Sequence, residues 1–226
     1  MRTLVITDLH LNSKVKGLLG AQVECVLKVF FDESPGEVII MGDIFMHRKP
    51  SPSELLGFKS IIDKMKSLAH VVILRGNHDS ETKADDGKTA LLLYEDTNLF
   101  VMQGVKVITH TFVDTDRRRV FIPHYENEET IIKALDMAPQ GYQVFGHFGY
   151  VGCLNSVGDY DSSISLSHFH NNTLLGHIHG FCEKQGGLPK ARSRVVCLGT
   201  PYTTNYAEAF KDNYYAILDD GGPRTP

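Results

Sequence analysis

The chain contains no tryptophan and only four cysteines among its 226 residues. Cysteines of a zinc knuckle or a redox pair usually stand in Cys-x-x-Cys spacing. That spacing is missing here, because the four lie far apart, at Cys25, Cys153, Cys182 and Cys197. We therefore interpret them as reduced thiols that hold no structural zinc.

Long hydrophobic runs are also missing. No stretch approaches the roughly 18 apolar residues that a membrane span requires. The apolar run near the N-terminus is too short for a signal peptide. We therefore expect a cytoplasmic protein without a membrane partner.

Nor does the chain carry an excess of positive charge. With 23 Lys and Arg against 27 Asp and Glu, the formal net charge is -4, so no general positive field attracts nucleic acid or anionic membrane. Any contact with nucleic acid has to be local. The hydrophobic content of 42% is enough to bury a core, and we expect a single domain over residues 1–226.

The first third of the chain alternates between two patterns. Short β-rich runs are followed by apolar residues at helical spacing, and the second helix opens on a capping box at Ser51 and Glu54 with Pro52 in its first turn. This βαβαβ order predicts a parallel sheet that gathers polar residues along its carboxyl edge. The strands are predicted at 3–7, 38–41 and 71–74, and the helices over 15–30 and 51–68.

The remaining chain has shorter strands and one helix, which begins near Asn127 and ends before Pro139. The first three of these strands read as a meander with a turn at 114–116. An α/β fold with two sheets packed face to face, and helices outside both, accommodates this order. The strands are predicted at 98–102, 105–109, 118–122, 142–145, 173–175, 194–198 and 214–218.

A polar cluster follows the third strand, where Asn77, His78 and Asp79 stand just beyond an apolar run. Such side chains are costly to desolvate unless something binds them. Each motif of this kind is weak alone, but five together indicate one site that binds two metal ions. The other four also follow predicted strands: Asp8-Leu9-His10, Gly42-Asp43, Gly146-His147 and Gly176-His177-Ile178-His179.

The order of these motifs resembles the calcineurin-like metallophosphoesterases over nearly the whole chain. Within that superfamily the chain is similar to the SbcD-type DNA repair exonucleases, at segments 42–45, 50–52, 144–147, 174–179 and 199–201. The resemblance implies an α/β fold of four layers. This metallo-dependent phosphatase fold is an αββα sandwich of two mixed β-sheets flanked by helices.

The resemblance also implies the ligands of two divalent ions, with Asp43 as the bridge. Carboxylate, amide and imidazole donors suit Mn, Fe or Zn. Mn is the family's usual activator and ranks first, while Co and Mg are further alternatives. The first ion would be held by Asp8, His10, Asp43 and His179, and the second by Asp43, Asn77, His147 and His177.

A mechanism comes with the same resemblance. A hydroxide that bridges the two ions would attack phosphorus. His78 would donate a proton to the leaving oxygen or stabilise its charge. Asp79 would orient His78 or the surrounding shell, or would simply form a turn.

One departure from the family concerns the partner of His78. Many SbcD-type nucleases have His or Asp where this chain has Met46. Either the next residue, His47, takes that place, or His78 assists the leaving group alone. His47, Arg48 and Lys49 are the predicted substrate contacts, since they follow a metal-binding loop.

The long polar loop over 148–163 is a candidate substrate rim. On it, Tyr150 or Tyr160 would stack on a base.

Length is the second departure. SbcD-type nucleases usually continue into a capping domain that shapes the DNA groove and a segment that binds an ATPase, whereas this chain stops soon after its last predicted strand. It is either a minimal stand-alone nuclease or a shortened chain. DNA is the expected partner, and an SbcC-like ATPase partner is left open.

Three functions are therefore weighed. The first is a Mn-dependent phosphodiesterase that cleaves DNA in repair or recombination. The second is a small-molecule phosphodiesterase or nucleotide phosphatase on the same fold. The third, a non-catalytic scaffold subunit, is disfavoured by the complete ligand set. The remaining histidines match no family ligand and are interpreted as structural: His70, His110, His124, His168 and His170.

Overall fold

The computed structural model describes residues 1–96, 104–155, 158–159, 162–187, 193–204, 212–219 and 222–224. The predicted strand at 98–102 and Tyr160 fall outside these ranges. The helices are α1 (Leu18–Glu33), α2 (Pro52–Met65) and α3 (Glu128–Met137). The strands are β1 (Thr3–Ile6), β2 (Glu37–Ile40), β3 (His70–Leu74), β4 (Val105–Ile108), β5 (Phe112–Asp114), β6 (Arg119–Ile122), β7 (Gln143–His147), β8 (Leu154–Asn155), β9 (Gly158–Asp159), β10 (Thr173–Gly176), β11 (Cys182–Gly186), β12 (Ser193–Cys197), β13 (Ala216–Asp219) and β14 (Gly222–Arg224).

Two six-stranded mixed sheets organise the fold. In the first, β1 to β4 lie parallel, and β13 and β14 extend the β1 edge in antiparallel fashion. In the second, β12, β10, β7 and β6 lie parallel in that order, and the antiparallel strands β11 and β5 form the two edges. Parallel neighbours end on the same side, so each sheet presents its carboxyl-end loops along one edge.

The order of helix and sheet layers is shown by the cores to which successive side chains of a strand belong. On β1, Leu4 and Ile6 belong to the core that includes α1 and α2, whereas Val5 between them belongs to the core between the sheets. Both faces of the strand are buried, which explains its continuous apolar run. On the far side of the second sheet, Ile131 and Leu135 of α3 close a third core. The predicted architecture of two mixed β-sheets flanked by helices is confirmed.

Local signals define where the helices begin. The Ser51 hydroxyl accepts a bond from the Glu54 N–H, and the Glu54 carboxylate accepts one from the Ser51 N–H, as the predicted capping box requires. Glu54 also accepts two bonds from Ser13, which ties the loop after β1 to the start of α2. Helix α3 is capped by Asn127. Within the described ranges, no helix is both long and apolar enough to cross a membrane.

The predicted meander is wrong. Strand β4 pairs with β3 in the first sheet, whereas β6 pairs with β5 and β7 in the second, so the chain changes sheet after Ile108. The turn near Asp114 connects β6 to the short β5 instead of to β4. Alternation of side chains identifies extended residues, but it does not identify the strand with which they pair.

Candidate metal centre

The centre lies where loops of the two sheets meet. The first sheet contributes the loops after β1, β2 and β3, and the second contributes the end of β7 and the loop after β10. Several contacts join these halves, and two of them involve backbone groups. The His177 N–H donates to the Asp8 carboxylate at 3.0 Å, and His147 Nδ1 lies 2.6 Å from the Met41 carbonyl oxygen.

A first group of donors is formed by Asp8, His10 and His179, whose ligand atoms all lie within 4.8 Å of one another. The His10 and His179 Nε2 atoms are 3.0 Å apart, and they lie 3.8 and 3.7 Å from Asp8 Oδ1. Asp43 Oδ2 lies 3.7 Å from His10 Nε2. The structure therefore brings together all four residues predicted for the first ion.

A second group contains Asp43, His147 and His177, again within 4.8 Å of one another. The Asn77 amide oxygen lies 2.9 Å from His177 Nδ1 and 3.2 Å from His147 Nε2. Asp43 Oδ1 lies 3.3 Å from His147 Nε2. Asp43 thus presents one carboxylate oxygen to each group, which is the position of a bridging ligand.

These separations fit shared metal ions. Two donors bound to one ion at about 2.1 Å lie roughly 3.0–3.5 Å apart for bond angles between about 90° and 110°. The closest donor pairs match this range, at 2.9–3.3 Å. Oxygen and imidazole donors suit a catalytic divalent centre better than a structural zinc site. The residues present therefore fit two divalent ions, while the choice of metal is left open.

Backbone strain is concentrated on the same residues. Asp8, His10, Asp43 and His177 have φ values of 54°, 43°, 50° and 76°, in the left-handed region. In a non-glycine residue this conformation costs roughly 1–3 kcal/mol and persists only where surrounding contacts enforce it. Such contacts are present, since the His10 N–H donates to the Asp43 carbonyl at 2.9 Å. Four of the seven non-glycine residues with positive φ in the described part of the chain are thus predicted ligands, the others being Ser34, Asp85 and Arg118.

Two glycines allow the loops to approach each other closely. A Cβ on Gly76 would lie 2.2 Å from Asp43 Oδ1, and a Cβ on Gly176 would lie 2.2 Å from Thr7 Oγ1. Neither distance is compatible with a side chain. The glycines before Asn77 and His177 are therefore packing requirements of the centre.

A family model of calcineurin-like phosphoesterases matches residues 1–181. That span contains all seven donors. The chain belongs to the calcineurin-like phosphoesterase family. It is accordingly a metal-dependent phosphoesterase, and its paired donor groups form a divalent metal centre.

Solved structures similar to this phosphoesterase include nucleases and phosphodiesterases. The nuclease MPE of Pseudomonas putida has a TM-score of 0.46 and 13% identity, over 98% of this chain and 87% of that one. YfcE, a phosphoesterase from E. coli, has a TM-score of 0.48 and 14% identity, over 97% and 89%. A novel archaeal phosphodiesterase has a TM-score of 0.46 and 14% identity, over 100% and 99%. A comparison with curated proteins gives no significant match.

Asp43 and His147 of this phosphoesterase form a buried ion pair across the sheets. Burial alone would raise the pKa of Asp43, but the charge and hydrogen bond of His147 hold it well below its usual range. Burial alone would lower the pKa of His147, but the Asp43 charge outweighs burial and raises it to about 9. Because a ligand imidazole must be neutral, metal binding has to displace this proton.

Two other imidazoles are already in the ligating form. Burial lowers the pKa of His10 to about 4 and that of His177 to about 3. Both rings are therefore neutral at pH 7, so that one nitrogen of each ring carries no proton and can bind a metal.

The predicted proton donor, His78, lies beside these groups. Its Nδ1 is 2.7 Å from the Met46 carbonyl oxygen, which assigns the Nδ1 hydrogen to that bond. Nε2 then faces the centre, 3.9 Å from Asp43 Oδ2, and the side chain is 37% exposed. His47, one of the two options left open for a partner of His78, instead lies against Lys14, and the described partner of His78 Nδ1 is the Met46 carbonyl. His10, Asp43 and His78 also form a close donor group, so the non-ligand role of His78 stays a prediction.

Asp79 braces two of the loops. Its carboxylate accepts bonds from the backbone N–H groups of Ile44, Phe45 and Gly76, at 2.9, 3.3 and 2.9 Å. Burial, followed by the negative charge of Asp43, raises its pKa to about 7. These contacts position the Asp43 loop against the loop after β3. Its predicted action on His78 itself stays a prediction.

The three predicted substrate contacts have different surroundings. His47 Nε2 lies 2.8 Å from Lys14 Nζ at the surface. Arg48 donates to Glu126 at 3.0 Å and to two backbone carbonyls, so its guanidinium is engaged within the protein. Lys49 is exposed. Contact with substrate stays a prediction for all three, and only the Lys49 side chain is exposed without a described hydrogen-bond partner.

Tyr150 is not placed to stack on a base, which corrects the expectation from sequence. Its side chain is only 1% exposed and packs edge to face against Phe169. Its hydroxyl lies 3.3 Å from Cys182 Sγ. Tyr150 is therefore a core residue of the second sheet.

His124, which sequence reasoning interpreted as structural, lies at the edge of the centre. Its ring centroid is 5.9 Å from that of His177 and 6.5 Å from that of His147. Arg75 fixes its backbone in two bonds: the His124 N–H donates to the Arg75 carbonyl, and the Arg75 guanidinium donates to the His124 carbonyl at 2.6 Å. The sequence signal was a histidine two residues beyond β6, the same placement that marks the ligands.

Proposed function

We propose that this phosphoesterase is a dinuclear-metal phosphodiesterase that cleaves DNA and belongs to the SbcD-type branch. The observation that carries the proposal is the position of Asp43 between two donor groups, with His78 beside it. A phosphodiester requires anchoring of its two free oxygens and a proton for the departing alcohol. The arrangement offers both on the same side of the centre.

The roles of the chain's own residues follow from their contacts. When bound, two divalent ions supply Lewis acidity for the phosphate oxygens and activate water. The Met46 carbonyl holds Nδ1 of His78, so that Nε2, when protonated, can donate to the leaving oxygen. The half-exposed position of His78 leaves room for a leaving group that extends into solvent. Asp79 acts behind the centre by bracing the Asp43 loop.

Mn is the proposed metal. The donor set combines carboxylate, amide oxygen and imidazole, which Mn accepts readily at six coordinates. Fe, Zn, Co and Mg are alternatives that metal analysis after expression in defined media would distinguish.

Local positive charge supports DNA as the substrate. Lys14 contacts His47, and His47 follows Met46, the residue whose carbonyl holds His78. Lys49 is exposed two residues further along. Lysines placed in this way can attract phosphates even on a chain whose net charge is -4. A role in DNA repair or recombination, and association with an SbcC-like ATPase, belong to the same proposal.

Activity on three substrates tests the proposal: labelled single-stranded DNA, labelled double-stranded DNA and bis(p-nitrophenyl) phosphate, each with Mn and with chelator. The expected result is Mn-dependent cleavage of DNA and of the chromogenic diester, both absent in Asp43→Ala. If the chromogenic diester is hydrolysed while both DNA substrates stay uncleaved, the chain is not a nuclease. If no diester is hydrolysed, the whole proposal is refuted.

A small-molecule phosphodiesterase is the second candidate, and one observation favours it. Glu126, Glu128 and Glu129 line the surface beside His124. Glu126 is paired with Arg48, and the charges of Glu128 and Glu129 would repel a long polyanion on that side. In this case methyl or nucleoside p-nitrophenyl diesters would be turned over faster than DNA.

A further inference from the structure

A groove of about 420 Å³ opens beside the centre. Its volume lies within the range of small-molecule sites. Tyr125, Ile131 and Phe148 are among its lining residues but are almost fully buried, so the apolar surface that they offer a ligand is small. The rest of the lining is polar: His124, Glu126, Asn127, Glu128, Glu129 and Ser163.

His124 connects the groove to the metal centre. Its ring lies at 32° to that of His177, and the same residue lines the groove. It is 9% exposed, and its Nδ1 has no hydrogen-bond partner within the described part of the chain. Phe148, which also lines the groove, follows the predicted ligand His147 directly. A group esterified to a phosphate at the centre can therefore extend into the groove past His124.

The charge of the groove selects against a second phosphate. The N-terminus of a helix usually attracts anions, but in α3 the first turn carries Glu128 and Glu129. Glu128 accepts bonds from the Ser163 N–H at 2.7 Å and from its hydroxyl at 2.5 Å. Glu126 is paired with Arg48, so the net negative charge comes from the two residues of the helix. Carboxylates favour hydroxyl and ammonium donors.

We propose that this groove binds the ester group that stays on phosphorus, and that it accepts a hydroxyl- or ammonium-bearing group without a second phosphate, such as a terminal nucleoside. The inference rests on the proposed function and deepens it. The leaving group then lies on the His78 side of the centre, near Lys14 and Lys49. These lysines tolerate the negative charge of the rest of a DNA strand. The enzyme would act at chain ends or on small diesters.

A matched pair of chromogenic diesters tests the groove: thymidine 5′-(p-nitrophenyl phosphate), and the same compound with a 3′-phosphate. Both release p-nitrophenol and differ only in the charge carried by the retained group. Repulsion by the carboxylates should lower kcat/KM for the 3′-phosphorylated compound at least about tenfold in the wild type. In Glu128→Gln/Glu129→Gln this ratio should fall to about threefold or less, because the repelling charge is removed.

Glu24→Gln, which removes an exposed carboxylate from α1, is the matched control and should keep the wild-type ratio. His124→Ala should raise KM for the nucleoside ester more than for methyl p-nitrophenyl phosphate, whose retained group is too small to fill the groove. Equal rates for the paired substrates in the wild type, or a ratio unchanged in the double variant, would overturn the inference. If no diester is hydrolysed with Mn, the proposed function fails instead.

Discussion

The two sheets contribute to the centre in different ways. The first supplies every oxygen donor, including Asp43, the proposed bridging ligand, together with His10 and His78. Its loops are tied to one another by backbone hydrogen bonds and by the Asp79 carboxylate. The second sheet supplies only imidazoles, from His147, His177 and His179.

The difference indicates an order of dependence. His147 is oriented by the Met41 carbonyl, and the His177 N–H is bonded to Asp8, so the second half is held by groups of the first. The bonds that brace the first half come largely from its own loops, and they hold Asp8, His10 and Asp43 in strained backbone conformations. We therefore expect damage to the first half to spread across the centre.

The largest effect is expected for Asp43→Ala. Asp43 contacts donors of both halves, at His10 and His147. Its removal should abolish binding of both ions and lower kcat by at least about a thousandfold, the scale of several kcal/mol of charge stabilisation. Metal analysis of the purified variant and kinetics on bis(p-nitrophenyl) phosphate measure both. Retention of two ions per chain would refute the bridging role.

Gly76→Ala should affect both halves of the centre through Asp43, because the new Cβ would collide with Asp43 Oδ1 and the Asp43 nitrogen. The loop must shift, so metal content and activity should fall together, by about tenfold to a hundredfold for a displaced ligand. Gly20→Ala is the control. Gly20 lies in α1 with nothing near its Cβ position, and alanine there should leave metal content unchanged and raise the stability slightly. Equal metal content in both variants would contradict close packing as the reason for Gly76.

His78→Ala separates chemistry from metal binding within the first half. Loss of the proton donor should lower kcat on DNA by about 10²–10⁴-fold while metal content stays near that of the wild type. The loss should be smaller for p-nitrophenyl esters, whose leaving group departs without a proton. If His78→Ala loses metal as Asp43→Ala does, His78 is a ligand. If kcat falls equally on DNA and on p-nitrophenyl esters, His78 does not act as the acid.

The first half was also the more predictable from sequence. Residues such as Val38, Ile39 and Ile40 are apolar because both faces of β2 are buried, so the strand and the loop that follows it are visible as a pattern. The capping box at Ser51 predicted the start of α2, the helix between β2 and β3. All seven donors, Asn77 included, follow a predicted strand at its carboxyl end within a few residues.

The features that the sequence could not predict are mostly contacts of backbone groups and strands at the edge of a sheet. The Met46 carbonyl that holds His78 has no side-chain signature. Strand β11 is largely polar and exposed at the edge of the second sheet, so it carries no apolar alternation. His124 depends on Arg75, a buried contact between residues 49 positions apart. Each of these depends on tertiary packing that a local pattern does not contain.

The dependence of the second half on the first also predicts how stability varies with pH. The pKa of His147 is raised to about 9 in the folded protein, so the stability contributed by its bond to Asp43 is fully present below about 6.5 and is lost as pH rises through about 9. For chelator-treated protein, the loss should reach about 3 kcal/mol at most, at 1.36 kcal/mol per pKa unit. Urea unfolding at pH 6.5 and 9.5 measures it. His147→Asn should lack this decline, whereas His170→Asn, at an exposed position, should keep it.

The smallest effect concerns the positive charge that the first-sheet loops add near His78. Lys49 is exposed just beyond the metal-binding loop, where a lysine would meet a phosphate of the leaving strand. Lys49→Ala should raise KM for DNA by about twofold to threefold and reduce the slope of log(kcat/KM) against log[salt] by about one, the change expected when one phosphate contact is lost. Lys28→Ala, on the solvent face of α1, should alter neither quantity. An unchanged salt slope in Lys49→Ala would mean that DNA approaches from another side, and the assignment of the His78 side to the leaving strand would lose its electrostatic support.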